Sequence, residues 1–220
     1  MTVYTFWEGQ MPEYIKLCLE TWRVPYTLLN YSNLHQYTDL PISKLRRFSI
    51  EQACDCVKAH VLRDNGGIWL DADSIMVTGK MPEATVLGNV EMRTNTIAFL
   101  QTEPHSEMFE EWARYQTKIL DSPYVSLWWG LMGNGFTDTY IREHKEIKLD
   151  SIYDYWLETD NEEDRPRKYI DYYFNRSYNP SLPDIVILHN SWTPKWYKQL
   201  TRDEVLQQGC TLSNILREIL

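Results

Sequence analysis

Two aspartates one residue apart, Asp71 and Asp73, sit inside GGIWLDADSIMV at 66–77, between two apolar β-type runs. A buried strand cannot carry two unpaired carboxylates at low cost. The pair therefore marks either a solvated turn at a strand end or a place where carboxylate oxygens face a divalent cation. A further metal-capable side chain, His189, follows the apolar run DIVIL at 184–188. Carboxylate oxygens suit Mg2+ or Mn2+, and an added imidazole tilts the choice toward Mn2+. Mg2+ keeps waters and substrate phosphates among its ligands, so such a site wants a phosphorylated substrate. Asp55 and Lys58 are three apart in a helical pattern, which fits either a ligand-holding pair or an exposed ion pair. Trp7 ends a first β-type run, and Ser191 and Trp192 follow His189. Either tryptophan serves equally well as core.

These residues need elements that bring them together. TVYTFW at 2–7 is β-branched and aromatic and reads as a strand. Pro12 suits the first turn of a helix running to about Trp22, and YTLLN at 26–30 reads as a second strand. Residues 48–64 read as a helix with Ile50, Ala53, Val57 and Val61 on one face, and Glu51, Asp55 and Lys58 roughly opposite. Asn65-Gly66-Gly67 supplies a positive-φ stop. NTIAFL at 95–100 reads as a strand, followed by a helix from about His105 to Leu120 with Phe109, Trp112, Ala113 and Leu120 facing the core. WWGLMGNGF at 128–136 reads as a glycine-punctuated loop, 151–180 as helix plus loop, DIVIL as a buried strand, and 202–219 as one helix. Strands alternating with helices predict an α/β chain with a Rossmann-like, mostly parallel central sheet flanked by helices. In such sheets ligands bind beyond the carboxyl ends of strands. If IWL and IVIL are parallel neighbours, Asp71, Asp73 and His189 meet at one edge.

Bulk properties narrow the classes. The 220 residues are 43% hydrophobic, enough for one sizeable core, so a single domain over 1–220 is the expectation. A net charge of −9 argues against nonspecific binding to nucleic acid or an anionic membrane. Cys18, Cys54, Cys56 and Cys210 lack zinc-ribbon spacing and read as thiols of a reducing cytoplasm. No signal peptide or transmembrane span is expected.

The stretch ACDCVKAHVLRDNGGIWLDAD at 53–73 resembles the central block of the capsular polysaccharide synthesis and sugar-binding DXD families, GT-A glycosyltransferases related to family 32. That block runs alanine, Ser-Asp, an arginine three residues later, Gly-Gly, an aromatic and Asp-x-Asp. Here the Ser-Asp falls on Cys54-Asp55 and the arginine on Lys58, two departures that leave the aspartate in place. TFWEGQMPEYIKLCLETWR and HNSWTPKW resemble the family's opening and its late His and Ser-Trp region.

The resemblance implies a GT-A fold, with 1–100 as the nucleotide-sugar half and 101–220 as the acceptor half carrying the metal and diphosphate segment. It implies Asp73 as direct metal ligand, with Asp71 touching the metal and the ribose and His189 completing the protein's share. Asp55 with Lys58 would hold donor hydroxyls, Trp7 would stack on uracil, and Ser191 and Trp192 would reach the diphosphate. The implied reaction is retaining hexosyl transfer from a UDP-sugar with Mn2+ or Mg2+, onto a glycan or lipid-linked oligosaccharide. A lipid-linked acceptor would bring the protein to a membrane surface. Two other readings stand beside it. One is a haloacid-dehalogenase-like phosphatase, whose Asp-x-Asp normally continues with Thr or Val where this chain has Ile75. The other is a non-catalytic sugar-nucleotide-binding domain.

Overall fold

The computed structural model describes residues 1–151 and 162–220. In chain order the main elements are β1 (Val3–Phe6), α1 (Glu13–Glu20), β2 (Tyr26–Leu29), α2 (Ile42–Leu45), α3 (Ile50–Asn65), β3 (Gly67–Leu70), β4 (Ser74–Met76), β5 (Val86–Asn89) and β6 (Thr94–Thr102). They continue with α4 (Glu107–Asp121), α5 (Asn134–Glu143), β7 (Leu149–Ser151), α6 (Arg165–Ile170), β8 (Ile185–Ile187), α7 (Lys195–Lys198), α8 (Arg202–Gln207) and α9 (Thr211–Ile219). The stretch 152–161, part of the expected helix and loop at 151–180, lies outside the described residues.

Two compact units interleave along the chain. The first holds Met1–Glu8, Pro25–Asp71 and the described residues from Glu83 to Ser151. Its six-stranded sheet runs β2-β1-β3-β6-β5-β7. β1 is parallel to β2 and β3, and β5 is parallel to β7, while β6 runs antiparallel to both of its neighbours. The chain is thus α/β with a mostly parallel central sheet flanked by helices, as its alternating pattern implies.

Helix α3 starts at a capping box. Ser49 Oγ accepts the Gln52 N–H and Gln52 Oε1 accepts the Ser49 N–H, satisfying donors a helix start leaves open. It stops at Gly66 and Gly67, with φ of 62° and 103°, angles a side chain resists. The chain then enters β3, buried along its whole length. Helix α3 packs against β3 and α4. Trp69, Val57, Leu100, Phe109 and Trp112 share this core, each such side chain contributing about 1.5–3 kcal/mol over leaving it exposed.

The helical wheel misassigns α3 in two places. Ile50 is 44% exposed, because it occupies the first helical turn. Lys58, on the expected polar face, is 3% exposed. A helix covered on two sides has no solvent face along most of its length. The stretch read as a loop at 128–136 ends in helix α5, which begins at Asn134.

The second unit holds Gly9–Val24, Ala72–Pro82 and the described residues from 162 onward. Its strand pair β4–β8 is antiparallel, with Ser74 opposite Ile187 and Met76 opposite Ile185. This corrects the expected parallel pairing of IVIL with IWL: the partner of IVI is SIM. An apolar run announces burial but does not choose its neighbour. Pro12 is the N-cap of α1, and α1 lies against β4. Trp22 Nε1 donates to the Ser74 carbonyl at 2.9 Å, and Met76 N–H donates to Thr21 Oγ1 at 2.9 Å. The expected final helix is two, α8 and α9, parted at Gln208-Gly209-Cys210, where glycine weakens helical continuity.

Candidate active site

In the first unit, α3 and β3 converge on one cluster. Lys58 Nζ lies 3.0 Å from Asp71 Oδ1, 3.1 Å from Asp71 Oδ2 and 3.4 Å from Asp55 Oδ1. Trp69 Nε1 donates to Asp71 Oδ1 at 2.8 Å, and the Lys58 ammonium stands 5.9 Å from the centre of the Trp69 ring. Asp71 closes β3, its N–H donating to the Ala98 carbonyl of β6 at 2.9 Å. Burial alone would push the Lys58 pKa down, but Asp71, Cys54 and Asp55 reverse this and hold it above its ordinary value. Burial raises the Asp55 carboxyl to about 6, against the pull of Lys58 and with the push of Asp71. Asp55 is therefore mostly ionised at neutral pH and able to accept hydrogen bonds from hydroxyl groups.

Gly133 backs this cluster. A Cβ there would stand 2.5 Å from Asp55 Oδ2 and 2.5 Å from Ile97 Cδ1, so only glycine fits without displacing the carboxylate. Ile97 itself has φ of 49° within β6, rare for a β-branched residue. Asn95 holds this kink. Its Oδ1 accepts the Ile97 N–H at 2.9 Å, and its Nδ2 donates to Asp138 Oδ1 at 2.7 Å and Thr137 Oγ1 at 2.9 Å. Trp7 follows β1 and ties its N–H to the Leu29 carbonyl at 3.0 Å. Its buried indole Nε1 has no hydrogen-bond acceptor among the described residues.

In the second unit, Asp73 meets the turn after β8. Asp73 Oδ2 accepts the Asn190 N–H at 2.7 Å, and the Asp73 carbonyl accepts the Leu188 N–H at 3.2 Å. Tyr14 OH on α1 donates to Asn190 Oδ1 at 2.6 Å. The His189 N–H donates to Tyr169 OH at 3.1 Å. The His189 ring stacks on Trp192, centroids 4.2 Å apart, and Ser191 is exposed in the same turn. Burial, aided by Arg165, lowers the His189 pKa to about 4, so its imidazole is neutral and can ligate a metal near pH 7.

The structure thus brings Asp55, Lys58 and Asp71 together in one unit, and Asp73 with the His189–Trp192 turn in the other. Asn190, Tyr14, Tyr169 and Asn95 are partners that sequence reading passed over. Only Tyr14 carried a signal, a tyrosine on the apolar face of α1. Among the described residues no three His, Cys, Asp or Glu side chains form a cluster able to hold a metal ion. One carboxylate and one neutral imidazole, Asp73 and His189, nonetheless offer donors suited to Mn2+ or Mg2+ completed by water and phosphate. Both oxygens of Asp71 face Lys58.

A family model described as capsular polysaccharide synthesis protein matches residues 1–208. No curated protein matches the sequence. A solved structure described as "PaToxG Glycosyltransferase" aligns at 14% identity with a TM-score of 0.46, over 64% of this chain and 67% of that one.

Proposed function

The chain belongs to the capsular polysaccharide synthesis protein family, and on that footing we propose that it is a metal-dependent glycosyltransferase of the GT-A, family 32-like type. It moves a hexose from a UDP-sugar, of the UDP-galactose or UDP-glucose kind, to a glycan or lipid-linked acceptor in cell-surface polysaccharide synthesis. The anomeric configuration is retained, and the reaction takes place on the cytoplasmic side.

The observation that carries this reading is the Asp55–Lys58–Asp71 cluster, in which Lys58 is buried and both carboxylates are part-exposed. A core gains little from such an ion triad, because desolvation offsets most of the attraction. Its use is to hold polar ligand groups. Asp55 would accept hydrogen bonds from donor hydroxyls while Lys58 keeps it ionised. Trp7 would stack on the uracil, and its buried indole N–H, without an acceptor among the described residues, would find one on the donor. Asp73 and His189 would hold Mn2+ or Mg2+, and Asp71, one residue from Asp73 along the chain, would serve the same ion through water. The bound cation would supply Lewis-acid stabilisation of the diphosphate leaving group, worth several kcal/mol. Ser191 and Trp192 would reach that diphosphate. The sugar becomes oxocarbenium-like, and the departing phosphate takes the acceptor's proton, so no side chain is assigned as base.

The test is a panel of sugar nucleotides with Mn2+, Mg2+ or chelator, scored for nucleotide release. Metal-dependent turnover of a UDP-hexose is expected, and Asp73→Asn should reduce it by about two orders of magnitude or more. Absence of metal-dependent turnover with every donor, or phosphate release from a monoester in its place, would overturn the reading.

A further inference from the structure

Between α4 and α5 the chain presents a run of outward-facing apolar side chains that the candidate active site does not use. Tyr124 is 91% exposed and Trp129 75%, with Leu127 and Trp128 also more than half exposed. Soluble surfaces seldom gather so many large apolar groups in one place without a partner. No charged residue lies from Ser122 to Thr137, although the chain as a whole is 24% charged.

The base of this loop is firmly held, with the exposed Arg47 beside it. Arg47 donates to the Leu120 carbonyl at 3.3 Å and to the Ser122 carbonyl at 3.0 Å. Lys44 pairs with Asp121 and so cancels the nearest acid. The Trp128 carbonyl accepts Gln52 Nε2 at 3.0 Å and the Leu131 N–H at 3.1 Å. Backbone anchors thus fix both ends of the loop; the Trp128 ring folds back over Gly130 and Gly135, while Tyr124, Leu127 and Trp129 stay exposed.

We propose that this loop seats in the lipid–water interface of a bilayer carrying anionic phosphodiester headgroups. Trp and Tyr combine an apolar body with one polar tip, which suits them to that depth. Leu127 supplies apolar area without a charge to desolvate. Arg47, exposed at the base of the loop, lies where headgroup phosphates would be, and guanidinium groups favour phosphate. The net charge of −9 opposes approach at long range. At physiological ionic strength that repulsion is screened beyond about 8 Å, so the uncharged loop and the Arg47 beside it govern contact. A glycan platform fits less well, because stacked sugars need polar neighbours for their hydroxyls. Within 122–129 the only side-chain hydroxyls are those of Ser122, Tyr124 and Ser126, and Ser122 Oγ is spent on the Tyr124 carbonyl at 2.8 Å. Lipid binding here stands apart from glycosyl transfer and would serve an acceptor carried on lipid.

The experiment is flotation of the full chain with vesicles of phosphatidylglycerol and phosphatidylethanolamine, against vesicles of phosphatidylcholine alone. Retention on the anionic vesicles is expected, falling as salt is raised. The double variant Leu127→Ser, Trp129→Ser should lower it at least about fivefold. These side chains are exposed, so thermal melts of the variants should match the parent. No retention, or equal retention by the double variant, overturns the proposal. So does loss, in that variant, of binding to a soluble dextran hydrolysate when the parent shows no vesicle retention, which would assign the loop to sugar.

Discussion

Lys58 is the residue on which the first unit's site depends. Its ammonium is buried yet bounded by two carboxylates, the arrangement in which losing one partner is most costly. Lys58→Met would leave Asp55 and Asp71 facing each other without a cation, and a loss of about 3–5 kcal/mol in unfolding free energy is expected. A urea titration reads this directly, with Asp71→Asn as the comparison that leaves Lys58 paired to Asp55. A cost below about 1 kcal/mol would mean that the pair behaves as a surface ion pair. Sequence reading kept that possibility open, since Asp55 and Lys58 fall on the nominal polar face of the helix. What it lacked was the covering layer: residues from Leu131 to Gly133 and helix α4 lie over that face.

At the scale of the element, α3 is covered along both flanks, and His60 shows the consequence. Neither of its ring nitrogens has a hydrogen-bond partner among the described residues. Burial lowers its pKa to about 4, with Arg63 adding to the effect and Asp64 and Asp39 opposing it. The unfolded chain binds a proton near pH 6.5 that the folded chain refuses until about pH 4. His60 therefore removes stability as pH falls through that window, by up to about 1.4 kcal/mol per pH unit. Asp55, raised to about 6, acts with the opposite sign between pH 6 and 4. The difference between parent and His60→Leu isolates the histidine. Midpoints measured from pH 7 to 4.5 should fall less steeply in the variant, with a cost under about 1.5 kcal/mol at pH 7. Parallel curves would refute this. Strand β6 is the other instructive element. Its apolar sequence shows a strand, but nothing local foretells the Ile97 kink, which Asn95 and Asp138 hold from 43 residues apart.

Across the whole molecule, each unit is assembled from separated stretches. β4, directly after the DAD, finds its strand partner only at Ile185–Ile187. A chain ending at Ser151 would keep all six strands of the first unit's sheet but leave β4 unpaired and Ile75 and Met76 without their partners on β8. Such an exposed strand edge with apolar side chains invites association. Circular dichroism and size exclusion should show aggregation or loss of a cooperative melt. A monomeric truncated chain melting as sharply as the full one would contradict the account of β4 and β8. No helix among the described residues is long and apolar enough to cross a membrane.

The sequence by itself determined what depends on short-range pattern. The opening β-α-β, the Gly66-Gly67 stop of α3, the burial of IWL and IVIL, the α/β class and the family-like 53–73 block are all local signals. Only the tertiary structure decided which strand meets which. It paired IVI antiparallel with SIM, sank Lys58 between two aspartates, placed Gly133 against Asp55, and set Asp73 against the Asn190 amide. The physical reason is that propensity, capping and periodicity act over a few residues. Strand partnership and the burial of a charge are set by groups tens to more than a hundred positions away, whose arrival no local pattern encodes.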